Sequence, residues 1–148
     1  MKFATALLAS MLSMVTPSRA TEAPIEALGD LKWNYRVLLI FAREPSASTA
    51  LSNLEELAPG IQERDIAWFL IADKNLHTNY RGVVSDDLRT QILDRYFTPT
   101  PEQSRVILIG KDGGVKSQGP DLDLVATFGL IDQMPMRRTE LRQEDQGN

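Results

Sequence analysis

Two arginines and two serines are the side chains of this sequence best suited to holding an anion. Arg43 directly follows an apolar run, Ser46 and Ser48 stand where a helix would begin, and Arg105 precedes a second aliphatic run. A guanidinium and the free amides of a helix's first turn both favour negative charge. We predict that Arg43, Ser46, Ser48 and Arg105 form a concave ligand-binding face. The alternative is that Arg105 lies at a strand edge, paired with a nearby acid.

His77, the only histidine, is a further candidate because imidazole titrates near neutral pH. It lies in a segment, 73–81, that follows the second predicted strand and that also holds Asp73 and Tyr80. Open α/β sheets place ligands at the carboxyl ends of their strands. We therefore add His77 to the predicted ligand-binding residues, against the alternative of a solvated loop histidine.

Several patterns that would indicate catalysis or metal binding are incomplete. Lys111 follows a glycine, but the next residue is Asp112 rather than the serine or threonine of a phosphate-binding loop. No serine stands in a Gly-x-Ser-x-Gly turn. Asp121 and Asp123 do not complete a calcium loop, and one histidine without cysteine does not support a structural zinc site. We predict no catalytic residue, no metal and no cofactor.

The string Met134-Pro135-Met136-Arg137-Arg138 is a candidate interaction segment. Methionine adapts to varied surfaces and arginine is favoured at interfaces, so Met134, Met136, Arg137 and Arg138 could form a partner-binding edge. The alternative is that the methionines fill a gap beneath a helix end while the arginines pair with carboxylates such as Asp132.

The amino terminus predicts export. Lys2 is followed by an apolar stretch and Pro17, and Ser18-Arg19-Ala20 places small residues where a signal peptidase cleaves. We predict a signal peptide at 1–20, cleaved after Ala20, and a periplasmic or secreted mature chain. The apolar stretch is shorter than the roughly 20 residues that a membrane-spanning helix needs, so no membrane association is expected after cleavage.

Composition excludes several classes of function. The chain of 148 residues contains no cysteine, which removes thiol catalysis and thiolate metal sites. The predicted cleavage removes two basic residues and takes the formal net charge from −4 to −6. Such an acidic chain is poorly suited to nucleic acid, which demands clustered lysine and arginine. Another exported protein or a small anion is the expected partner.

Apolar runs alternate with amphipathic segments in the order β-α-β-α-β-β-α, which predicts an α/β domain. Continuous apolar runs predict two strands that are covered on both faces. The predicted segments are strands at 37–42 and 66–72, a helix from Ser46 or Ser48 to Pro59-Gly60, a helix from Ser85 to Tyr96, a hairpin from 105, and a helix from Asp121 to Met134. A flexible lead-in is predicted at 21–30, the domain at 31–142 and a polar tail at 143–148.

Two segments, RVILIGKDGGVK at 105–116 and IDQMPMRRTE at 131–140, resemble the signature of the secreted domain of unknown function 4174 family. Its members are similar to domains of bacterial exported proteins and of sushi-repeat extracellular matrix proteins. The resemblance implies a thioredoxin-like fold with a mixed, four-stranded central sheet flanked by helices. By analogy with peroxiredoxins, Arg105 takes the place of an arginine that polarises the peroxide. The peroxidatic cysteine would fall near Ala50, where neighbouring Ser48 and Thr49 cannot replace a thiol.

Two functions remain open from the sequence. The first is an exported, cysteine-less thioredoxin-fold module with a binding or accessory role. The second is a degenerate peroxiredoxin-like oxidoreductase that uses a partner's thiol or a cofactor.

Overall fold

A computed structural model describes residues 21–147, so the predicted signal peptide lies outside the described residues. A short 3-10 turn at Leu28–Leu31 precedes the first strand. The elements that follow are β1 Arg36–Ala42, α1 Ser46–Glu56, α2 Ala58–Glu63, β2 Ile66–Ala72, β3 Asn75–Thr78, α3 Leu88–Tyr96, β4 Arg105–Ile109, β5 Val115–Gly119, α4 Leu124–Asp132 and α5 Pro135–Gln146.

The described strands form one mixed sheet in the order β3-β2-β1-β4-β5. β1 is parallel to β2 and antiparallel to β4, and both β3 and β5 pair antiparallel with their neighbours. The β2-β1-β4-β5 part, with its helices, is the thioredoxin-like arrangement, which confirms the predicted fold class. The sheet has five strands rather than four, because the short strand β3 adds to the outer edge of β2.

The sheet carries a hydrophobic core on each face. Every residue of β1 and β2 is buried, as their continuous apolar runs predict. Leu38 and Ile40 face a core completed by α1, α2 and α4. Leu39 and Phe41 face a second core completed by α3 and the amino-terminal segment. Strand alternation thus decides which helix each residue contacts.

The segment 21–30, predicted as a flexible lead-in, is instead fixed to the domain. Ile25 is buried, its amide donates to the Val83 carbonyl at 2.9 Å, and its own carbonyl accepts from Ser85 N at 3.0 Å. The Tyr35 hydroxyl donates to the Glu22 carboxylate. Burial, with this hydrogen bond, raises the pKa of Tyr35 to about 12. Single contacts, rather than a regular helix or strand, hold this segment to the domain. Its sequence therefore shows no hydrophobic periodicity.

Two helix ends differ from the prediction. Pro59 and Gly60 lie inside α2 rather than ending α1, and Pro59 is in the first turn, where no intrahelical N–H bond is lost. The helix predicted to end at Met134 ends at Asp132, and a further helix that was not predicted, α5, runs from Pro135 to Gln146 through most of the predicted polar tail. Glutamate, glutamine and arginine are good helix formers, so this polar stretch extends the helix.

One side chain continues the sheet beyond β3. β3 ends at Thr78, opposite Phe69, and leaves the first half of β2 without a strand on that side. The Asn79 Oδ1 accepts from Trp68 N at 2.8 Å, and Asn79 Nδ2 donates to the Ile66 carbonyl at 2.9 Å. The amide of Asn79 therefore replaces a strand backbone at this edge.

Alanine substitutions at Gly60 and Gly129 are expected to change the free energy of unfolding in opposite directions. A Cβ at Gly60 in α2 would lie 2.7 Å from Phe128 Cε2, whereas one at Gly129 in α4 meets nothing within 4 Å. We expect Gly129→Ala to raise the free energy of unfolding by about 0.5–1 kcal/mol, since alanine favours the helix. Gly60→Ala should lower it by about 1–2 kcal/mol through overpacking. Urea denaturation of both variants checks this, and stabilisation by both contradicts it.

Candidate functional site

The structure brings Arg43, Ser46 and Arg105 to the same end of the sheet. Arg43 and Ser46 follow β1, and Arg105 opens β4 opposite Phe41. Arg43 and Ser46 line a depression of about 260 Å³ with residues 102–104, Pro120 and Asp121. Arg105 lines a neighbouring depression of about 410 Å³ that shares the 102–104 loop. We call this pair of depressions the carboxyl-end surface.

The carboxyl-end surface carries both signs of charge. Arg43 Nη1 donates to the Glu102 carbonyl at 3.1 Å, which fixes that guanidinium on the surface. Arg105 is exposed and forms no salt bridge within residues 21–147. The acids Glu44, Glu102 and Asp121 line the same depressions. Such mixed charge suits a polypeptide better than a small anion.

The hydroxyl and the amide of Ser48 already form hydrogen bonds within the chain. The Glu44 carboxylate accepts from the Ser48 hydroxyl at 2.7 Å and from Ser48 N at 3.3 Å. This carboxylate therefore takes the place at the first turn of α1 that we predicted for an external anion. Ser48 does not line either depression. The signal that could have found this is an acid four residues before the serine.

His77 lies away from the other predicted residues. It belongs to β3, opposite Leu70, rather than to a loop, and its side chain is exposed. β3 is the edge strand two positions from β1 in the sheet, whereas Arg105 belongs to β4 on the other side of β1. His77 lines neither depression of the carboxyl-end surface. His77 therefore does not share the carboxyl-end surface with Arg43 and Arg105, and its role as a ligand-binding residue remains a prediction.

Ala50, the position that the resemblance assigns to a peroxidatic cysteine, faces the core. Its exposed fraction is 6%, and it packs in the cluster that contains Ala47 and Leu54. The neighbouring Thr49 is exposed. The α1 helix thus turns this position toward the sheet and away from solvent.

The predicted interaction segment is divided between core and surface. Arg137 is 1% exposed and donates to the Glu63 carboxylate at 2.8 Å, so it cannot belong to an exposed edge. Met134 packs against the core between sheet and helices. Met136 and Arg138 are exposed, and their role in partner binding remains a prediction. Arginine pairing, the alternative weighed from the sequence, is what the structure shows for Arg137.

A buried group of charges lies at the opposite end of the sheet, where β1 begins. Glu140 of α5 accepts from Arg36 Nη2 at 3.2 Å and from Lys111 Nζ at 2.7 Å. Lys111 also contacts Asp65 at 2.8 Å, and Arg36 and Lys111 are 1% and 8% exposed. Burial opposes ionisation of Glu140, but hydrogen bonds from Lys111 and Arg36 prevail and lower its pKa. We call Arg36, Asp65, Lys111 and Glu140 the buried ionic cluster after its two buried cations; the side chains of Glu140 and Asp65 are 22% and 49% exposed.

A second ion pair reinforces this end of the fold. Arg64 binds Asp132 with two bonds, Nε to Oδ1 at 2.9 Å and Nη2 to Oδ2 at 2.7 Å, and stacks 4.6 Å from the Phe128 ring centroid. The bond from Arg64 lowers the pKa of Asp132, against the effect of burial. Bidentate pairs of this kind fix geometry as well as charge.

The segments 105–116 and 131–140, the two motifs of the sequence, contribute charged residues to these ion pairs. Lys111 belongs to the first motif, and Asp132, Arg137 and Glu140 belong to the second. The Lys111–Glu140 pair joins the β4–β5 turn to α5, whereas Asp132 and Arg137 pair with Arg64 and Glu63 of the α2 region. Arg36 and Lys111 were not among the predicted site residues; for Arg36, an arginine directly before a continuous apolar run is the signal that could have indicated a charge held at the start of a buried strand.

Within the described part of the chain, no group of three or more histidine, aspartate or glutamate side chains is placed to hold a metal ion. No described helix is long and apolar enough to cross a membrane.

The sequence profile described as Domain of unknown function (DUF4174) matches residues 27–140. The chain belongs to this family. The match covers the domain from the 3-10 turn to Glu140, so the DUF4174 segment includes the carboxyl-end surface and the buried ionic cluster.

Solved structures similar to this DUF4174 member include a disulfide oxidoreductase and a peroxiredoxin. A secreted disulfide oxidoreductase of Mycobacterium tuberculosis, homologous to E. coli DsbE, is 16% identical, with 72% of this chain and 86% of that chain covered and a TM-score of 0.48. The mitochondrial 2-Cys peroxiredoxin from Plasmodium falciparum is 13% identical, with 82% and 84% covered and a TM-score of 0.49. The thioredoxin-like fold of the DUF4174 chain rests on its own strand order.

Proposed function

We propose that this chain is an exported thioredoxin-fold module that binds another exported protein and performs no thiol redox chemistry of its own. The observation that carries the proposal is the burial of Ala50 in the α1 core, in a chain without cysteine. Neither the residue type nor its orientation at this position can present a nucleophile to a substrate.

The carboxyl-end surface is the proposed contact surface. Arg43 is held in place by the Glu102 carbonyl, while Arg105 is exposed and can pair with an acidic group of a partner. The depressions are open and contain both charge signs, which suits an extended polypeptide with alternating polar groups. A partner seated there would contact the loops that follow β1 and precede β4.

A peroxide-consumption assay tests the absence of redox chemistry. The purified protein is mixed with hydrogen peroxide and a thiol donor, and the loss of peroxide is followed over many equivalents of protein. We expect the rate of the uncatalysed mixture. Sustained turnover would overturn the proposal.

Cysteine substitutions test the orientation of α1. Ala50→Cys places a thiol in the core, and Thr49→Cys places one in solvent. We expect Ala50→Cys to react with a disulfide reagent at least about tenfold more slowly, because burial hinders access and raises a thiol's pKa. The wild-type chain, which has no cysteine, is the blank. Equal labelling rates would contradict the buried position of residue 50.

Positional cross-linking tests the contact surface. A photoreactive amino acid at Ser104, which borders both depressions, is compared with one at Leu130, exposed on α4. In exporting cells we expect a discrete adduct from position 104 alone, weakened by Arg105→Glu. Adducts that are equal at both positions, or unaffected by Arg105→Glu, would overturn this assignment.

The oxidoreductase alternative depends on Arg105, which has the exposure a peroxide-polarising arginine needs. If a partner thiol supports any peroxide turnover, Arg105→Ala should abolish it. Turnover that is unchanged in Arg105→Ala removes this alternative.

Export is part of the proposal and is tested by mass spectrometry of the protein recovered outside the cytoplasm. We expect a mature chain that begins at Thr21. Recovery of the uncleaved chain in the cytoplasm would contradict it.

A further inference from the structure

A separate pocket lies on the α3 side of the sheet, at the opposite end of β1 from the carboxyl-end surface. It has a volume of about 260 Å³ and opens between the 3-10 turn, α3 and the β4–β5 turn. Its apolar floor consists of Val37, Ile92 and Ile109, which belong to the second core. The pocket is therefore continuous with the packed interior and has a defined shape.

The walls of this pocket combine aromatic rings with two cations. Tyr35 and Tyr96 contribute the rings, and Lys32 and Arg95 contribute the charges. Neither Lys32 nor Arg95 forms a salt bridge within residues 21–147. The Arg95 guanidinium lies 5.4 Å from the centroid of Tyr96, at the pocket wall. Both cations are thus available to an external anion.

The carboxylate that lines the pocket is already engaged. Asp112 accepts from Lys116 Nζ at 2.7 Å and from Gly114 N at 3.0 Å. These bonds lower the pKa of Asp112, the bond from Lys116 most strongly. The pocket therefore keeps a net positive charge on a chain whose formal charge is −4.

We propose that this pocket binds a small aromatic carboxylate, a single ring bearing one carboxylate group. The ring would lie on the apolar floor between the tyrosines, and the carboxylate would face Lys32 and Arg95. The volume is below the roughly 300–1,000 Å³ of drug-sized sites, so one ring is the size that fits. This inference goes beyond the proposed function, because the site is separate from the carboxyl-end surface and needs no partner protein.

Matched probes test the ligand class. Benzoate, benzamide and benzylamine share the ring and carry a negative, no and a positive charge. The purified chain is titrated with each, and the amide resonances of Gly110 and Gly113, which line the pocket, are followed by NMR. We expect saturable binding of benzoate, binding of benzamide weaker by about fivefold or more, and no binding of benzylamine. Equal binding of all three would overturn the proposal.

Pocket variants locate the binding. Gly29 lines the pocket and nothing lies within 4 Å of a Cβ added there, so Gly29→Leu places a bulky side chain at the pocket without a clash at its Cβ. Gly129→Leu on α4 is the matched control, since its added Cβ also meets nothing within 4 Å. We expect Gly29→Leu to abolish benzoate binding and Gly129→Leu to preserve it.

Substitutions of the two cations test the same pocket without depending on how the leucine of Gly29→Leu is accommodated. Lys32→Gln and Arg95→Gln change exposed side chains and should each weaken benzoate binding by about two- to fivefold. Benzoate binding that persists unchanged in Gly29→Leu, Lys32→Gln and Arg95→Gln would show that the ligand binds elsewhere and would overturn the proposal. The peroxide and cross-linking results would be unaffected.

Discussion

Glu140→Gln is expected to lower the free energy of unfolding by about 1–3 kcal/mol, less than for a fully buried ion pair, because Glu140 is 22% exposed and Lys111 keeps its contact with Asp65. The glutamine keeps the shape of the side chain but removes the charge that faces Arg36 and Lys111. Arg36 is 1% exposed, so water cannot replace the lost carboxylate. Urea denaturation at neutral pH measures the difference.

Glu144→Gln is the matched control on the same helix. The Glu144 side chain is 62% exposed, and its contact with Arg137 is 3.7 Å long. We expect a change below about 0.5 kcal/mol, as for exposed ion pairs. Equal effects of Glu140→Gln and Glu144→Gln would mean that the buried ionic cluster contributes no more than the surface charges of α5.

Acidification is expected to remove the stabilisation that the ionised carboxylates of Glu140 and Asp132 provide. Glu140 and Asp132 have folded-state pKa values below their ordinary values of 4.5 and 3.8. At a pH above these ordinary pKa values, both carboxyl groups are ionised in the folded and in the unfolded chain. Their full contribution to the free energy of unfolding is then present. As the pH falls below about 5, the unfolded chain takes up protons first, so stability declines until the folded-state pKa values are passed.

The variant Glu140→Gln provides the control for this pH dependence. It already lacks the charge, so the stability difference between wild type and variant should narrow as the pH falls from about 6 to 3. Thermal or urea unfolding over that range gives the measurement. A difference that stays constant across the range would show that Glu140 does not stabilise the fold through its ionised form.

Much of the order of elements could be predicted from sequence because continuous apolar runs indicate buried strands, but α2 and α5 were not predicted as separate helices. β1 and β2 lie where 37–42 and 66–72 are apolar throughout. β3 was overlooked, since four residues with only one large apolar side chain, Leu76, give no periodic signal. The fixed segment 21–30 was overlooked for a related reason: Glu22 and Ile25 act through single distant contacts.

The site was predicted less well than the fold. Arg43 follows β1 and Arg105 opens β4, and the antiparallel pairing of these two strands places both residues at the same end of the sheet. The occupation of Ser48 by Glu44 and the burial of Arg137 depend on side-chain partners. Glu44 lies only four residues before Ser48 and could have been recognised, whereas Glu63 lies 74 residues from Arg137, so local patterns carry little information about that pair.

The Asn79 amide has a consequence for assembly. It covers the backbone of Ile66 and Trp68, at an edge where apolar side chains would otherwise accompany unpaired N–H and C=O groups. Exposed edges of this composition recruit strands from other molecules and lead to aggregation. A side chain that mimics a strand gives this edge its hydrogen bonds without offering a further edge for pairing. Asn79 thus keeps this part of β2, which β3 does not cover, from becoming a template for a strand of another molecule.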